Sequence, residues 1–201
     1  LDLLDYVRNN RIYAVDELLA QVPELDRIAE IVPVPFRAIP STAMGPAEWL
    51  ELNALIHATV AADASLTGVV ITHGTASLEE TAYFLGLTLK VAVPVVVVGA
   101  QRPASGISTD ANINLLNAVR VAGHPLSRDL GVLVVLNDEV HAAREVTKTS
   151  TLKLQTFRSP DFGCLGHADG DKVAFYRKPV RPTAPHTEFD VRGLQALPRV
   201  D

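Results

Sequence analysis

The chain has 201 residues and a mass of 21.6 kDa, with 48% apolar and 20% charged residues, enough length and apolar content to bury a substantial core. That composition excludes intrinsic disorder and collagen, and the single cysteine, Cys164, excludes a disulfide-built scaffold. A net charge of −5, a pI near 5.7 and scattered basic residues argue against a nucleic-acid partner, whose phosphates would demand clustered Lys and Arg.

The N-terminus opens with Asp2, Asp5 and Arg8, which is no signal-peptide pattern. Its first residue is Leu1 and its only methionine is Met44, so sequence upstream of Leu1 is expected. Residues 47–62 have the periodicity of a helix. Short valine-rich runs without polar alternation follow at 68–72 (GVVIT), 94–99 (PVVVVG) and 131–137 (GVLVVLN), the pattern of parallel strands buried on both faces. Helical spacing marks residues 78–89 and 112–122 between them. Ser77 with Glu80 predicts a capping box at the start of the first, and Asp110 reads as the start of the second. These units predict an α/β fold, an open, mostly parallel sheet with helices on both faces in a Rossmann-like three-layer arrangement. One further strand is expected at 172–177, entered by the turn Asp169, Gly170, Asp171. Beyond it Pro179, Pro182, Pro185 and Pro198 interrupt regular structure. The domain reading is therefore a larger α/β domain at 1–177 and a Pro-rich interdomain linker at 178–201. The longest apolar runs, such as residues 91–100, fall well short of the ~18–20 residues a membrane span needs. A lone cysteine suits a reducing compartment, so the cytoplasm is the expected location.

In such a sheet, ligand chemistry belongs to the loops at strand C-termini, here 72–77, 100–110 and 138–151. Thr72, His73, Gly74 and Thr75 run from a buried strand directly into a helix, so backbone N–H groups and the positive helix end face whatever binds there. The Thr75 hydroxyl is a candidate nucleophile that needs a base; read alone, the loop is more readily a capped helix start. A base is offered by Lys148, set among Thr147, Thr149, Ser150 and Thr151, since a desolvated lysine can take a proton from a hydroxyl. Ser150 and Lys153 spell Ser-x-x-Lys, a pattern that arises readily by chance.

ITHGTASLEETAYFL (71–85), VVVVGAQRP (95–103), NLLNAV (114–119) and GVLVVLNDEV followed by REVTKTST (131–151) together resemble the bacterial L-asparaginase/glutaminase family of threonine amidohydrolases. The resemblance runs in order over about residues 16–191. It implies hydrolysis of a side-chain amide, L-asparagine to L-aspartate and ammonia, through a threonine nucleophile with Lys148 assisting, and no cofactor or metal. It places the family's Gly-Thr-Asp signature on Gly74, Thr75 and Ala76, its lysine on Lys148, and its grip on the substrate α-carboxylate and α-amino groups on Ser41 and Thr42, with Ala100 also at the substrate. It further implies a small-molecule amide substrate and a homodimer or homotetramer.

Departures from the family pattern define the alternatives. Ala76 replaces an aspartate, and a methyl cannot accept a proton, orient Lys148 or hold an ammonium group. Thr42 stands where better-known members have glutamine, and the glycine-rich Thr-Gly-Gly-Thr-Ile signature, with its strand and second threonine, is absent, as is the smaller C-terminal domain. The 201-residue chain alone is therefore expected to be inactive. The readings are an asparaginase-type enzyme, an amidohydrolase for an amide without a free α-amino group, or a binding relative without catalysis. A buried ammonium left without its partner costs several kcal/mol, enough to separate the first two. Elsewhere, His73 is expected to be a packed, hydrogen-bonded histidine, Trp49 to pack a helix, Arg102 to line the pocket rim or anchor its loop, and Asp138 to support the lysine loop. The histidines have no metal-ligand spacing.

Overall fold

A computed structural model describes residues 12–198. Helix α1 (Val15–Leu19) and a 3-10 turn (Pro23–Arg27) precede an extended stretch, a second 3-10 turn (Ser41–Ala43) and α2 (Pro46–Ala62). Pro46 at the first position of α2 gives up no hydrogen bond, because that N–H has no partner in any helix. Then come β1 (Val69–Thr72), α3 (Leu78–Thr88), β2 (Val95–Val98), α4 (Ala111–Ala122) and β3 (Val132–Leu136). The remaining strands are β4 (Glu139–Ala142), β5 (Thr147–Lys148), β6 (Phe157–Arg158), β7 (Gly166–Asp169) and β8 (Lys172–Phe175).

The main sheet has the order β1-β2-β3-β4-β7-β8, and β5 pairs with β6 in a separate ribbon. β1, β2 and β3 are parallel, as their valine runs predict, and β4, β7 and β8 join antiparallel. The sheet is therefore mixed, and the antiparallel half has a local cause. Asn137 and Asp138 both adopt left-handed backbone, φ 50° and 64°, which is the two-residue hairpin turn whose twist matches its strands. The 138–151 stretch, expected as one loop, thus contains strand β4.

Layering follows from the two-residue period of the strands. Val95 and Val97 point with Val132 and Val134 into a core shared with Leu52 and Ile56 of α2 and with Leu78, Ala82 and Leu85 of α3. Val96 and Val98 point with Leu133 and Val135 to the other face, onto Leu115, Ala118 and Val121 of α4. No valine of β2 is more than 3% exposed, and each contributes roughly 1.5 kcal/mol or more by leaving water. The helices thus cover both faces. Among the described residues β1 stands at the edge of the sheet, and its Val69, Val70 and Ile71 are only half-buried. The Pro-rich segment from Lys178 lies back over the end of α3: Ala184 is in the core, Thr187 Oγ1 donates to Leu89 O at 2.9 Å, and Phe189 N donates to Leu87 O at 3.3 Å. No helix among the described residues is long and apolar enough to cross a membrane.

Candidate active site

A cleft runs along the side of β1 that pairs with no strand among the described residues, and past the C-terminal ends of β1 and β2. Its wall includes Ser41, Thr42, Gly74, Thr75, Ala76, Ala100 and Lys148, so the residues singled out from sequence share one surface although they come from four segments.

The turn between β1 and α3 is held from behind. The His73 Nδ1–H donates to Gly74 O at 2.7 Å, which leaves Nε2 to accept from the Thr81 hydroxyl at 2.9 Å. Thr81 Oγ1 in turn accepts from Trp49 Nε1 at 2.9 Å, and Trp49 stacks on Phe84 at 5.6 Å. Burial pushes the His73 pKa down, the direction that keeps the ring neutral and this tautomer in place. His73 is thus the packed histidine expected, and Trp49 ties α2 to α3.

In front of the turn sits Ser41. Its hydroxyl accepts from Ala76 N at 3.3 Å, and its carbonyl accepts from the Ser77 hydroxyl. Ser77 stands at the start of α3, but its hydroxyl makes no capping bond, so the expected capping box with Glu80 does not form. The reason is competition, because the hydroxyl already serves Ser41. Gly74 makes the approach possible, since a Cβ there would lie 2.6 Å from Ser41 Oγ and 2.9 Å from Ser41 Cβ.

Lys148 reaches the same turn from β5. Its ammonium donates to Thr75 Oγ1 at 2.8 Å and to Thr75 O at 3.2 Å, and lies 6.0 Å from the centre of the Phe157 ring. Thr75 is 7% exposed. Burial pushes the Lys148 pKa below the ordinary lysine value, and the Glu79 carboxylate partly opposes this. Glu79 also accepts the Lys148 backbone N–H. The surrounding hydroxyls are structural: Thr149 N and Oγ1 both donate to Thr156 O, at 2.7 and 2.8 Å, and Ser150 N donates to Thr156 Oγ1 at 2.9 Å. Ser150 Oγ accepts from Leu152 N and Lys153 N at 3.4 Å, so the Ser-x-x-Lys pattern is a turn.

The 100–110 loop is organised by Asp110, whose carboxylate accepts from Gln101 N (2.9 Å), Arg102 N (2.8 Å) and Asn114 Nδ2 (3.0 Å). Asp110 occupies the expected position before α4, yet it makes no capping bond and clamps the loop instead. Gln101 Nε2 donates to Lys153 O at 3.1 Å, linking this loop to the lysine segment. Arg102 lines the cleft and donates to Ser108 O at 2.6 Å. Asp138 does not serve the lysine loop: its carboxylate accepts from Asn117 Nδ2 at 2.9 Å, and burial and then Asp169 push its pKa up. Glu79 and the Asp110 clamp carried no local signal in the sequence. Among the described residues no group of three or more His, Cys, Asp and Glu could hold a metal ion.

A family model for the N-terminal part of asparaginase matches residues 5–181. The chain is 46% identical to a probable periplasmic L-asparaginase of Haemophilus influenzae over 93% of the chain and 53% of that protein. It is 44% identical to L-asparaginase 2 of Escherichia coli over 92% and 53%, and 40% identical to a glutaminase-asparaginase of Pseudomonas fluorescens over 93% and 51%. The chain spans about half the length of these relatives. The structure of a probable cytoplasmic L-asparaginase from Campylobacter jejuni superposes with a TM-score of 0.88 at 42% identity, over 92% of this chain and 58% of that one. These proteins are named for both compartments, so kinship does not choose the cytoplasm over the periplasm. Sequence match and superposition agree: the chain belongs to the asparaginase family, within its N-terminal domain.

Proposed function

We propose that the full-length protein is an L-asparaginase-type amidohydrolase that converts L-asparagine to L-aspartate and ammonia, and that this chain supplies its threonine and lysine. The observation that carries the reading is the 2.8 Å contact between Lys148 Nζ and Thr75 Oγ1 in a partly desolvated setting. With Lys148 neutral, the same contact runs the other way, and the Thr75 hydroxyl gives its proton to the amine as its oxygen attacks the amide carbon. The lysine then protonates the leaving nitrogen, ammonia departs, and water cleaves the resulting ester. Ser41, Thr42, Gly74, Ala76 and Ala100 border the substrate. A second threonine from a preceding strand, a smaller C-terminal domain and assembly into a homodimer or homotetramer belong to the same proposal, as do the linker role of residues 178–201 and the inactivity of the 201-residue chain alone.

The test is ammonia release by the full-length protein. Thr75→Val and Lys148→Met should each lower the rate ~100-fold or more. Retention of near wild-type rates by both variants refutes the assignment. Ala76 supports a second reading, because it presents a methyl to the cleft where the resemblance expects a carboxylate. On that reading succinamate, which has no α-amino group, outpaces asparagine, and Ala76→Asp reverses the order. No release from either amide would point to a binding protein.

A further inference from the structure

We infer that Glu79 is the positioning residue of Lys148, an inference that rests on the catalytic reading of Thr75 and Lys148 given above. Glu79 lies in the first turn of α3, one helical turn beyond Ala76, so its backbone is fixed by the same element that presents Thr75. Its carboxylate accepts the Lys148 backbone N–H, although 69 residues separate the two in the chain. Strand β5 has only the residues Thr147 and Lys148, paired with Phe157 and Arg158, so its own ladder is short and the ribbon is placed by outside anchors, among them buried Phe157. The carboxylate ties that ribbon to α3 at the residue whose side chain must reach Thr75.

The same group acts on the ammonium through space. Position 76 carries a methyl and offers no charge, and among the described residues the carboxylate acting on Lys148 is Glu79. A hydrogen bond to the backbone leaves the ammonium free to donate to Thr75 Oγ1 and O, which a direct Lys–Glu ion pair would compete for. One carboxylate thus sets where Lys148 stands and how strongly it holds its proton, without touching the reacting atoms.

The experiment uses protein with ¹³C-labelled lysine side chains; Lys148 is one of five lysines in these 201 residues, and its signal is identified by its loss in Lys148→Arg. Glu79→Gln keeps an acceptor and removes the charge, so the Lys148 titration midpoint should fall. Glu79→Ala also removes the acceptor, and the Lys148 backbone amide should exchange its hydrogen ~10-fold faster or more. Glu80→Gln, one residue away, should leave both at their wild-type values and serves as the control. An unchanged midpoint in Glu79→Gln, or an unchanged exchange rate in Glu79→Ala, overturns the inference. Both readouts are independent of turnover, so a protein that releases no ammonia would sink the catalytic proposal while leaving Glu79 decided by its own data. With activity present, the midpoint shift should also move the acidic limb of the kcat profile, where Lys148 takes up its proton and ceases to act as a base, to lower pH in Glu79→Gln.

Discussion

Gly74→Ala should be costly for reasons of space alone, since Gly74 is not among the glycines with left-handed backbone. The new methyl would lie 2.6 Å from Ser41 Oγ and 2.9 Å from Ser41 Cβ, and the second of these cannot be cured by a side-chain rotation. Ser41 cannot retreat cheaply either. Its carbonyl accepts from the Ser77 hydroxyl and from Met44 N at 3.1 Å, and its hydroxyl accepts from Ala76 N. Overpacking of this kind costs about 1–3 kcal/mol, and losing a hydrogen bond adds about 0.5–1.5, which puts the destabilisation at about 1.5–4.5 kcal/mol. Urea unfolding at constant m reads it directly. The double variant Ser41→Gly with Gly74→Ala removes both clashing atoms, so the pair should couple by at least ~1 kcal/mol in a double-mutant cycle. A Gly74→Ala protein within ~0.5 kcal/mol of wild type, or strictly additive variants, would show that these segments do not meet as described.

Asp110→Ala strips an acceptor from three N–H donors and should cost about 3 kcal/mol in thermal or denaturant unfolding, with Asp110→Asn retaining part of the stability. His141 gives a pH signature. It is 1% exposed, its Nδ1 lies 3.0 Å from Ser159 Oγ, and its Nε2 lies 3.2 Å from Glu139 Oε2 but outside hydrogen-bond alignment. Burial lowers its pKa from the ordinary 6.5, outweighing the opposing pull of Glu139. The folded state therefore binds this proton less readily than the unfolded chain. The contribution is complete above about 6.5 and is lost as pH falls from there through the lowered folded value. Melting temperatures of His141→Asn should fall less steeply below that pH than those of wild type; parallel slopes would exclude His141 as the source.

The parallel half of the sheet was readable because a strand buried on both faces needs unbroken apolar side chains, and residues 95–98 are valine throughout. β4 was hidden, because Glu139, Val140, His141 and Ala142 look polar and mixed, and its cause is the backbone of Asn137 and Asp138. Positions at helix starts were legible while side-chain partners were not. Ser77 and Asp110 both stand where capping residues stand, yet Ser77 spends its hydroxyl on distant Ser41 and Asp110 its carboxylate on the loop that precedes it. The Thr75–Lys148 contact spans 73 residues, and no local pattern encodes it. The hydroxyl-rich setting of Lys148 and the family resemblance both point to it as a partner for Thr75, and neither points to Glu79.

The edge position of β1 bears on how this chain behaves in a test tube. Its outer side pairs with no strand among the described residues, and Val69, Val70, Ile71 and Thr72 include none of the lysines or prolines that guard natural sheet edges. Such an edge is a template for any extended backbone, including that of a second copy. Soluble yield of the 201-residue chain should therefore fall as protein concentration rises.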